Sequence, residues 1–422
     1  MSLKDKTLID RSLIDRSLID RSVNRFLVNR KINRRQLLQY MTAAVCLPVL
    51  PAITQAASTH NRRLILIELS GANDGLNTIV PYKDDRYYEL RPRIALDSNK
   101  VIPIEADLAF HPTLQQLMPL WQDSDLAVLQ GLGYPEPNRS HFKSIAIWES
   151  GGDGNRNGRD GWMTHAIEHA YAQGNVDAHG ISFGGGMNVF TSSNGTWLSL
   201  NTSRQLVESN SRLLMRDKSV ENPLGAGVGL DMIRQRTQQL GVSLDRFNAK
   251  LTRQHETSKI EAGKLGKQLN HVVNMIAAGV DTPVYKVSLG GFDTHENQPG
   301  RHASLLEQLA AGLNGLKAEL LKRQEWNNTL VMTYSEFGRR ARENRSRGTD
   351  HGTAAPHFMA GGAVNGGLFG KHPDLGDLEN DDLKFTMDYR SAYDRLLTDW
   401  LDIDSHKYED YRDQRLKGLL EI

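Results

Sequence analysis

Residues 63–71, Arg63-Leu64-Ile65-Leu66-Ile67-Glu68-Leu69-Ser70-Gly71, decide how this chain is read. Apolar side chains follow one another without alternation, as in a parallel strand covered on both faces, and Ser-Gly marks a tight exit loop. Three more runs repeat the pattern. They are Leu126-Ala127-Val128-Leu129-Gln130 before Gly131, Val284-Tyr285-Lys286-Val287-Ser288-Leu289 before Gly290-Gly291, and Thr329-Leu330-Val331-Met332-Thr333-Tyr334. Helical periodicity separates them: a short segment over 114–121 and long amphipathic ones over 257–278 and 302–323. Residues 388–402 and 405–420 read as closing helices. Strands alternating with helices predict an α/β fold, a doubly wound and mostly parallel sheet with helices on both faces. Residues 150–245 are rich in Gly, Asn and Ser and read as a polar cap or insertion on residues 58–422. No Pro-rich or Ser/Gly-rich linker divides that span, so one domain is expected.

The first 57 residues are of another kind. They carry ten Lys/Arg against four Asp, which leaves 41 basic and 46 acidic side chains for the rest of the 422-residue chain. A mildly acidic domain has no basic surplus to neutralise a phosphate backbone, so nucleic acid is not an expected partner. The pentapeptide Leu-Ile-Asp-Arg-Ser occurs three times, at 8–12, 13–17 and 18–22. Asn33-Arg34-Arg35-Gln36-Leu37-Leu38 then stands close to a twin-arginine signal. An uncharged stretch follows, with moderately apolar residues over 41–50 and small residues at Thr54-Gln55-Ala56-Ala57. Residues 1–57 therefore read as a twin-arginine signal region. The expected partner is the twin-arginine export machinery, and the expected location is periplasmic or otherwise exported. A membrane anchor is the competing reading, but the apolar stretch is short and broken by Pro48 and Pro51. The mature protein is expected to have no stable membrane span. The only cysteine, Cys46, lies in this leader, so the remainder can form no disulfide and no thiolate site.

In open α/β sheets, ligands bind beyond the carboxyl ends of the strands. The polar residues of this chain gather there. The first strand is followed by Gly71-Ala72-Asn73-Asp74-Gly75-Leu76-Asn77, the third by Gly291-Phe292-Asp293-Thr294-His295-Glu296-Asn297, and the fourth by Ser335-Glu336-Phe337-Gly338-Arg339. Gly348-Thr349-Asp350-His351-Gly352 lies slightly downstream. Carboxylates and imidazoles of these segments, meeting at one rim, would suit a divalent ion such as Zn²⁺, Mn²⁺, Mg²⁺ or Ca²⁺. Each motif also has a structural reading. Asp74-Gly75 can be a turn, Asp350-His351 a cap with a surface imidazole, and Glu336 and Arg339 an ion pair. After the second strand, Tyr134-Pro135-Glu136-Pro137-Asn138-Arg139-Ser140-His141-Phe142 leads into a helix. Ser140 at its start could serve as a nucleophile near the positive end of the helix dipole. The plainer reading makes Ser140 a cap and His141 a packing residue.

Taken together, residues 71–77, 138–142, 290–297, 333–339 and 348–356 resemble the family known as domain of unknown function 1501, over most of residues 60–402. That family is similar to the alkaline phosphatase superfamily, whose members include phosphatases, phosphodiesterases, sulfatases and phosphomutases. The resemblance implies an alkaline phosphatase-like fold with two metal ions at the carboxyl edge of the sheet. Asp74 and Asp293 match its strand-end aspartates. Its histidine four residues after the second aspartate is Asn297 here; His295 is the nearest substitute and His302 a more distant one. Asp350-His351 matches the superfamily's Asp-His pair directly in one register. In the other, preferred because it follows a clear strand, Glu336 takes the strand-end position and His351 supplies the last histidine. Phe337 then stands where a ligand is expected, and His357 lies close by. The sulfatase motif Cys/Ser-x-Pro-x-Arg does not follow Ser140, which favours phosphate esters or a sulfatase-like fold with another nucleophile.

The expectation is therefore an exported metal-dependent hydrolase of phosphate or sulfate esters, acting on a small-molecule or glycan ester. Asp74, Asp293, His295, Glu336, Asp350 and His351 would form the metal site. Ser140 would be the nucleophile, with Arg139 or Arg339 holding the anion. The alternative is a catalytically silent exported binding or assembly protein that keeps the fold.

Overall fold

The structure is a computed structural model. It describes residues 61–153, 160–171, 176–192, 194–202, 241, 245–247, 249–251 and 258–421. Residues 1–57, read above as a signal region, and part of the 150–245 stretch lie outside these residues. All described residues fall within one compact unit, Ala56–Ile422.

A nine-stranded sheet organises this unit. Its strands are β1 (Arg63–Ser70), β2 (Leu126–Gly133), β3 (Gly180–Phe183), β4 (Trp197–Leu200), β5 (Val284–Gly290) and β6 (Thr329–Tyr334), with three later ones. A two-stranded ribbon, β7 (Arg339–Glu343) with β8 (Thr349–His351), stands apart from it. The later sheet strands are β9 (Ala355–Gly361), β10 (Gly367–Phe369) and β11 (Met387–Asp388). The order is β10-β2-β9-β6-β1-β5-β3-β4, with β11 beside β2. β1 is central, and both its neighbours run parallel to it: Leu64 lies opposite Val284 of β5 and Leu330 of β6. The α/β expectation of a mostly parallel sheet holds, with β9 as an antiparallel strand between β2 and β6.

Side-chain alternation on β1 sorts the core into two layers. Ile65, Ile67 and Leu69 pack toward helices α2 (Gly263–Ala277) and α3 (Gln298–Leu321). Leu66 and Leu64 pack on the opposite face with helices α1 (His141–Ser150) and α4 (Arg390–Arg395). α2 buries Leu265, Leu269, Val272, Val273 and Ile276 on one stripe, as its 3.6-residue period requires. Each such Leu or Ile, taken fully out of water, stabilises the fold by roughly 1.5–3 kcal/mol. Helices therefore cover both faces, as expected.

Three details depart from the sequence reading. β3 and β4 come from the stretch read as a cap and extend the main sheet beyond β5. α3 begins at Gln298, four residues before the expected start, because Asn297 takes a left-handed turn and Pro299 opens the first turn. Residues 405–420 form two short 3₁₀ turns, His406–Tyr411 and Gln414–Leu416, and not a continuous helix.

The strands carry one polar inclusion. Lys286 of β5 is fully buried on the α1 face, with its Nζ 2.6 Å from Glu149 and 2.9 Å from Glu68. Tyr334 donates to the same Glu149 at 2.8 Å. Burial pushes the Glu68 carboxyl above its ordinary range, against the opposing pull of Lys286. Among the described residues, no helix is long and apolar enough to cross a membrane.

Candidate metal centre at the sheet rim

The parallel order of β5, β1 and β6 sends three loops out at the same edge, and the site is assembled there. Gly71 starts the first loop with φ of 110°, and a Cβ at this position would run into the backbone of Phe292 and Asp293. Only glycine lets the β1 and β5 exits approach this closely. Arg339 then ties the edge together. Its guanidinium is fully buried and donates to the carbonyls of Ala72 (2.9 Å), Gly71 (2.5 Å), Phe292 (3.1 Å) and Thr349 (2.8 Å). It also donates to Asp293 Oδ1 at 2.7 Å. Burial alone would raise the Asp293 pKa, but the hydrogen bond and charge of Arg339, helped by His141 and His295, bring it down to about 2.

Three imidazoles gather around Asp293. His141 Nε2 lies 3.0 Å from His351 Nε2, and His295 Nε2 lies 2.9 Å from the same atom. Asp293 reaches all three: Oδ1 is 3.1 Å from His295 and 3.4 Å from His351, and Oδ2 is 3.5 Å from His141. Ligand-type atoms of His141, Asp293 and His351 all lie within 4.8 Å of one another.

The far side of each ring is anchored. His141 Nδ1 meets Glu336 Oε1 at 2.6 Å, His295 Nδ1 meets Asp350 Oδ1 at 3.1 Å, and His351 Nδ1 meets the Arg139 carbonyl at 2.9 Å. Carbonyls and carboxylates accept, so we assign a proton to Nδ1 of each ring, which leaves Nε2 as the inward-facing atom. Phe337 packs on two of the rings, with centroids 4.9 Å from His141 and 4.8 Å from His351. The hydrogen bond to Glu336 raises the His141 pKa, whereas burial lowers that of His351.

The metal ligands expected from the sequence divide into three groups. Asp293, His295 and His351 face the centre. Glu336 and Asp350 stand behind its histidines. Glu336 Oε1 also accepts from Gly71 N at 2.9 Å and Oε2 from Ser335 at 3.1 Å, while Asp350 also accepts from Asn344 at 3.2 Å. Asp74 is engaged elsewhere: fully buried, its Oδ2 takes Arg91 at 2.6 Å and Gln298 at 2.5 Å. Arg91 lowers its pKa against the opposing effect of burial. His302, the more distant substitute, is buried against Asn73 at 2.9 Å, and burial takes its pKa to about 3. His357 lies on β9 against Trp148. Ser140 caps α1 with its side chain exposed and making no capping hydrogen bond.

His141 is the member that sequence reasoning set aside as packing. Its signal was its place in a polar segment after a buried strand, the same position that marks the other motifs. The local fold aims it: Tyr134 accepts from Asn138 N at 3.0 Å and pairs with Ser144 at 2.7 Å, and Ser144 bonds the Glu336 carbonyl. Beside the centre opens a cleft of about 560 Å³ lined by Glu136, Arg139, Thr353, Glu379, Asp382 and Phe385, among others. Arg139 belongs to both places. Its carbonyl anchors His351, and its side chain reaches Asp382 at 2.7 Å in the cleft wall.

The donor types are those that a divalent ion of the zinc class accepts. A cation among these nitrogens, which stand 2.9–3.0 Å apart, would engage their lone pairs. Around a zinc-sized ion with bonds of about 2.0–2.1 Å, tetrahedral donors stand about 3.3 Å apart, a spacing the separations here bracket. Orienting partners behind each histidine are the usual companions of such ligands.

Fold and site thus define an α/β protein with a cluster of histidines around one aspartate at the carboxyl edge of its sheet, a set that could hold a metal ion. The chain belongs to the family described as "Protein of unknown function (DUF1501)", whose model matches residues 61–399. No curated protein matches it in sequence. Among solved structures it is similar to the lipoteichoic acid synthase LtaP from Listeria monocytogenes (7% identity, 85% of this chain and 76% of that one, TM-score 0.38). It is also similar to the PsFucS1 sulfatase from Pseudoalteromonas sp. (12% identity, 85% and 72% coverage, TM-score 0.39). A third similar structure is the alkaline phosphatase from the Antarctic bacterium TAB5 (9% identity, 73% and 94% coverage, TM-score 0.29).

Proposed function

We propose that this chain is an exported metal-dependent hydrolase of phosphate or sulfate esters. The observation that carries the reading is the convergence of three histidine Nε2 atoms and one carboxylate, each ring anchored from behind. His141, Asp293, His295 and His351 would hold the ion, and Glu336, Asp350 and the Arg139 carbonyl would orient the rings. A divalent ion there supplies Lewis acidity for an ester oxygen. The ligands are partly open to solvent: His351 is 23% exposed, His141 29%, His295 45% and Asp293 47%. Sites that only hold a fold together are closed, whereas catalytic ones keep a position for substrate.

The remaining roles fall to residues around the opening. Ser140, one residue before His141 at the start of a ten-residue helix, offers a hydroxyl where developing negative charge is favoured. Arg139 lines the adjoining cleft and can meet the anion or the alcohol portion of the ester. Arg339 does not face substrate in this scheme; it keeps Asp293 ionised and positioned. Export rests on the twin-arginine pattern of residues 33–38.

A silent binding protein is the second reading, favoured by the sealing of Asp74 and Arg339 inside protein contacts. Metal analysis of the purified protein, followed by assays with p-nitrophenyl phosphate, bis-p-nitrophenyl phosphate and p-nitrophenyl sulfate, separates the two. Turnover that chelation abolishes and added metal restores supports the hydrolase. A metal-loaded protein inert toward all three esters refutes it and leaves the binding protein.

A further inference from the structure

We infer that the rim is a mononuclear centre. His141, Asp293, His295 and His351 form one nitrogen-rich donor set for a single late first-row ion of the zinc class, and the buried carboxylates Glu336 and Asp74 are closed to a second ion. The inference rests on the metal reading above but not on hydrolysis.

The case has three parts. First, the inward-facing atoms are three imidazole nitrogens and one carboxylate. Imidazole suits zinc, cobalt, nickel and copper, whereas magnesium and calcium take oxygen. Second, the two buried carboxylates nearby are closed to a second ion. Glu336 accepts from Gly71 N, His141 and Ser335 and is almost fully buried. Asp74 is shut in the interior, with Oδ2 on Arg91 and Gln298 and Oδ1 buried without a hydrogen-bond partner. Asp350 holds His295 and Asn344 through one oxygen. Third, Arg339 places a fixed positive charge 2.7 Å from Asp293 Oδ1, against the carboxylate that a bridging ligand would have to be. Its donors are directed to four carbonyls and that carboxylate, so it is a built-in cation and not an open anion clamp.

The test is stoichiometry. The full-length protein is stripped with a chelator, titrated with ZnCl₂, freed of unbound metal by gel filtration and analysed for zinc per chain. One equivalent is expected. Magnesium chloride alone should bind at least about a thousand-fold more weakly. The Co²⁺-loaded protein should show one set of visible absorption bands, saturating at one equivalent; this needs no variant and so stands even if substitutions disturb folding. His351→Ala should lose the equivalent, and Asp74→Asn should retain it, each with circular dichroism matching the wild type. Two equivalents of zinc, loss of metal in Asp74→Asn, or saturation by magnesium overturns the inference. One equivalent without ester turnover supports the mononuclear centre and refutes the hydrolase. Two equivalents with turnover does the reverse, and a chain that takes up no zinc removes both.

Discussion

His357 offers the sharpest physical test of the fold. Its ring is 1% exposed on β9, edge-on to Trp148 with centroids 5.2 Å apart, and neither Nδ1 nor Nε2 has a hydrogen-bond partner. Burial alone takes its pKa from 6.5 to about 3. Because the native ring resists protonation and the unfolded one does not, acid draws the equilibrium toward unfolded chain. The contribution is intact above 6.5 and drains away as pH falls from there toward 3. Each pH unit in that window costs about 1.4 kcal/mol, so the loss at pH 5 is about 2 kcal/mol. In His357→Leu the titrating group is gone, together with two unpaired polar atoms that cost about 1–3 kcal/mol at neutral pH. The variant should be more stable than wild type at pH 7.5, and its advantage should widen by about 2 kcal/mol at pH 5. Urea unfolding followed by tryptophan fluorescence, with Trp148 as a neighbouring reporter, measures the difference at both values. Subtracting wild type from variant cancels the other titrating groups. An advantage that does not change with pH would show that the native ring takes up its proton as readily as the unfolded one, and the burial argument would be refuted.

Other outcomes follow from the same structure. Arg91→Ala leaves Asp74 charged and unpaired in the interior and should destabilise the protein by about 3–5 kcal/mol in denaturant unfolding, whereas a loss below 1 kcal/mol would mean that the pair is not sealed from water. Lys286→Met strands Glu68 and Glu149 together on the α1 face. A comparable loss is expected, and adding Glu149→Gln should recover part of it, as a double-mutant cycle would show. Glu336→Gln weakens the orientation of His141 and should reduce zinc affinity about 10–100-fold by competition titration, with the far-ultraviolet spectrum unchanged. Unaltered affinity would detach Glu336 from the centre.

The central strands were legible because β1, β2, β5 and β6 are mostly apolar runs without a helical period, as a strand covered on both faces tends to be. β9 was not. Ala355-Pro356-His357-Phe358-Met359-Ala360-Gly361 carries a proline, a histidine and three small residues, and its strand state comes from neighbours on both sides. The rim motifs pointed to the right edge of the sheet because a parallel sheet presents its loops there. What the chain could not declare was the division of labour among them. Asp74 and Asp293 both sit in strand-exit loops, yet one meets Arg91 in the interior while the other faces three imidazoles. That difference depends on contacts between residues up to 224 positions apart. His141 was masked for a similar reason, since helix-start polarity has an ordinary explanation and its partner Glu336 lies 195 residues away.

The five-fold grip of Arg339 has a kinetic corollary. By fastening the β1 exit, the β5 exit and the β7–β8 ribbon to one immobile side chain, it turns the rim into a jig whose backbone is set before any cation arrives. Loading would then require only imidazole rotation, so uptake should be rapid, and amide exchange in residues 71–77 should be nearly the same with and without bound ion.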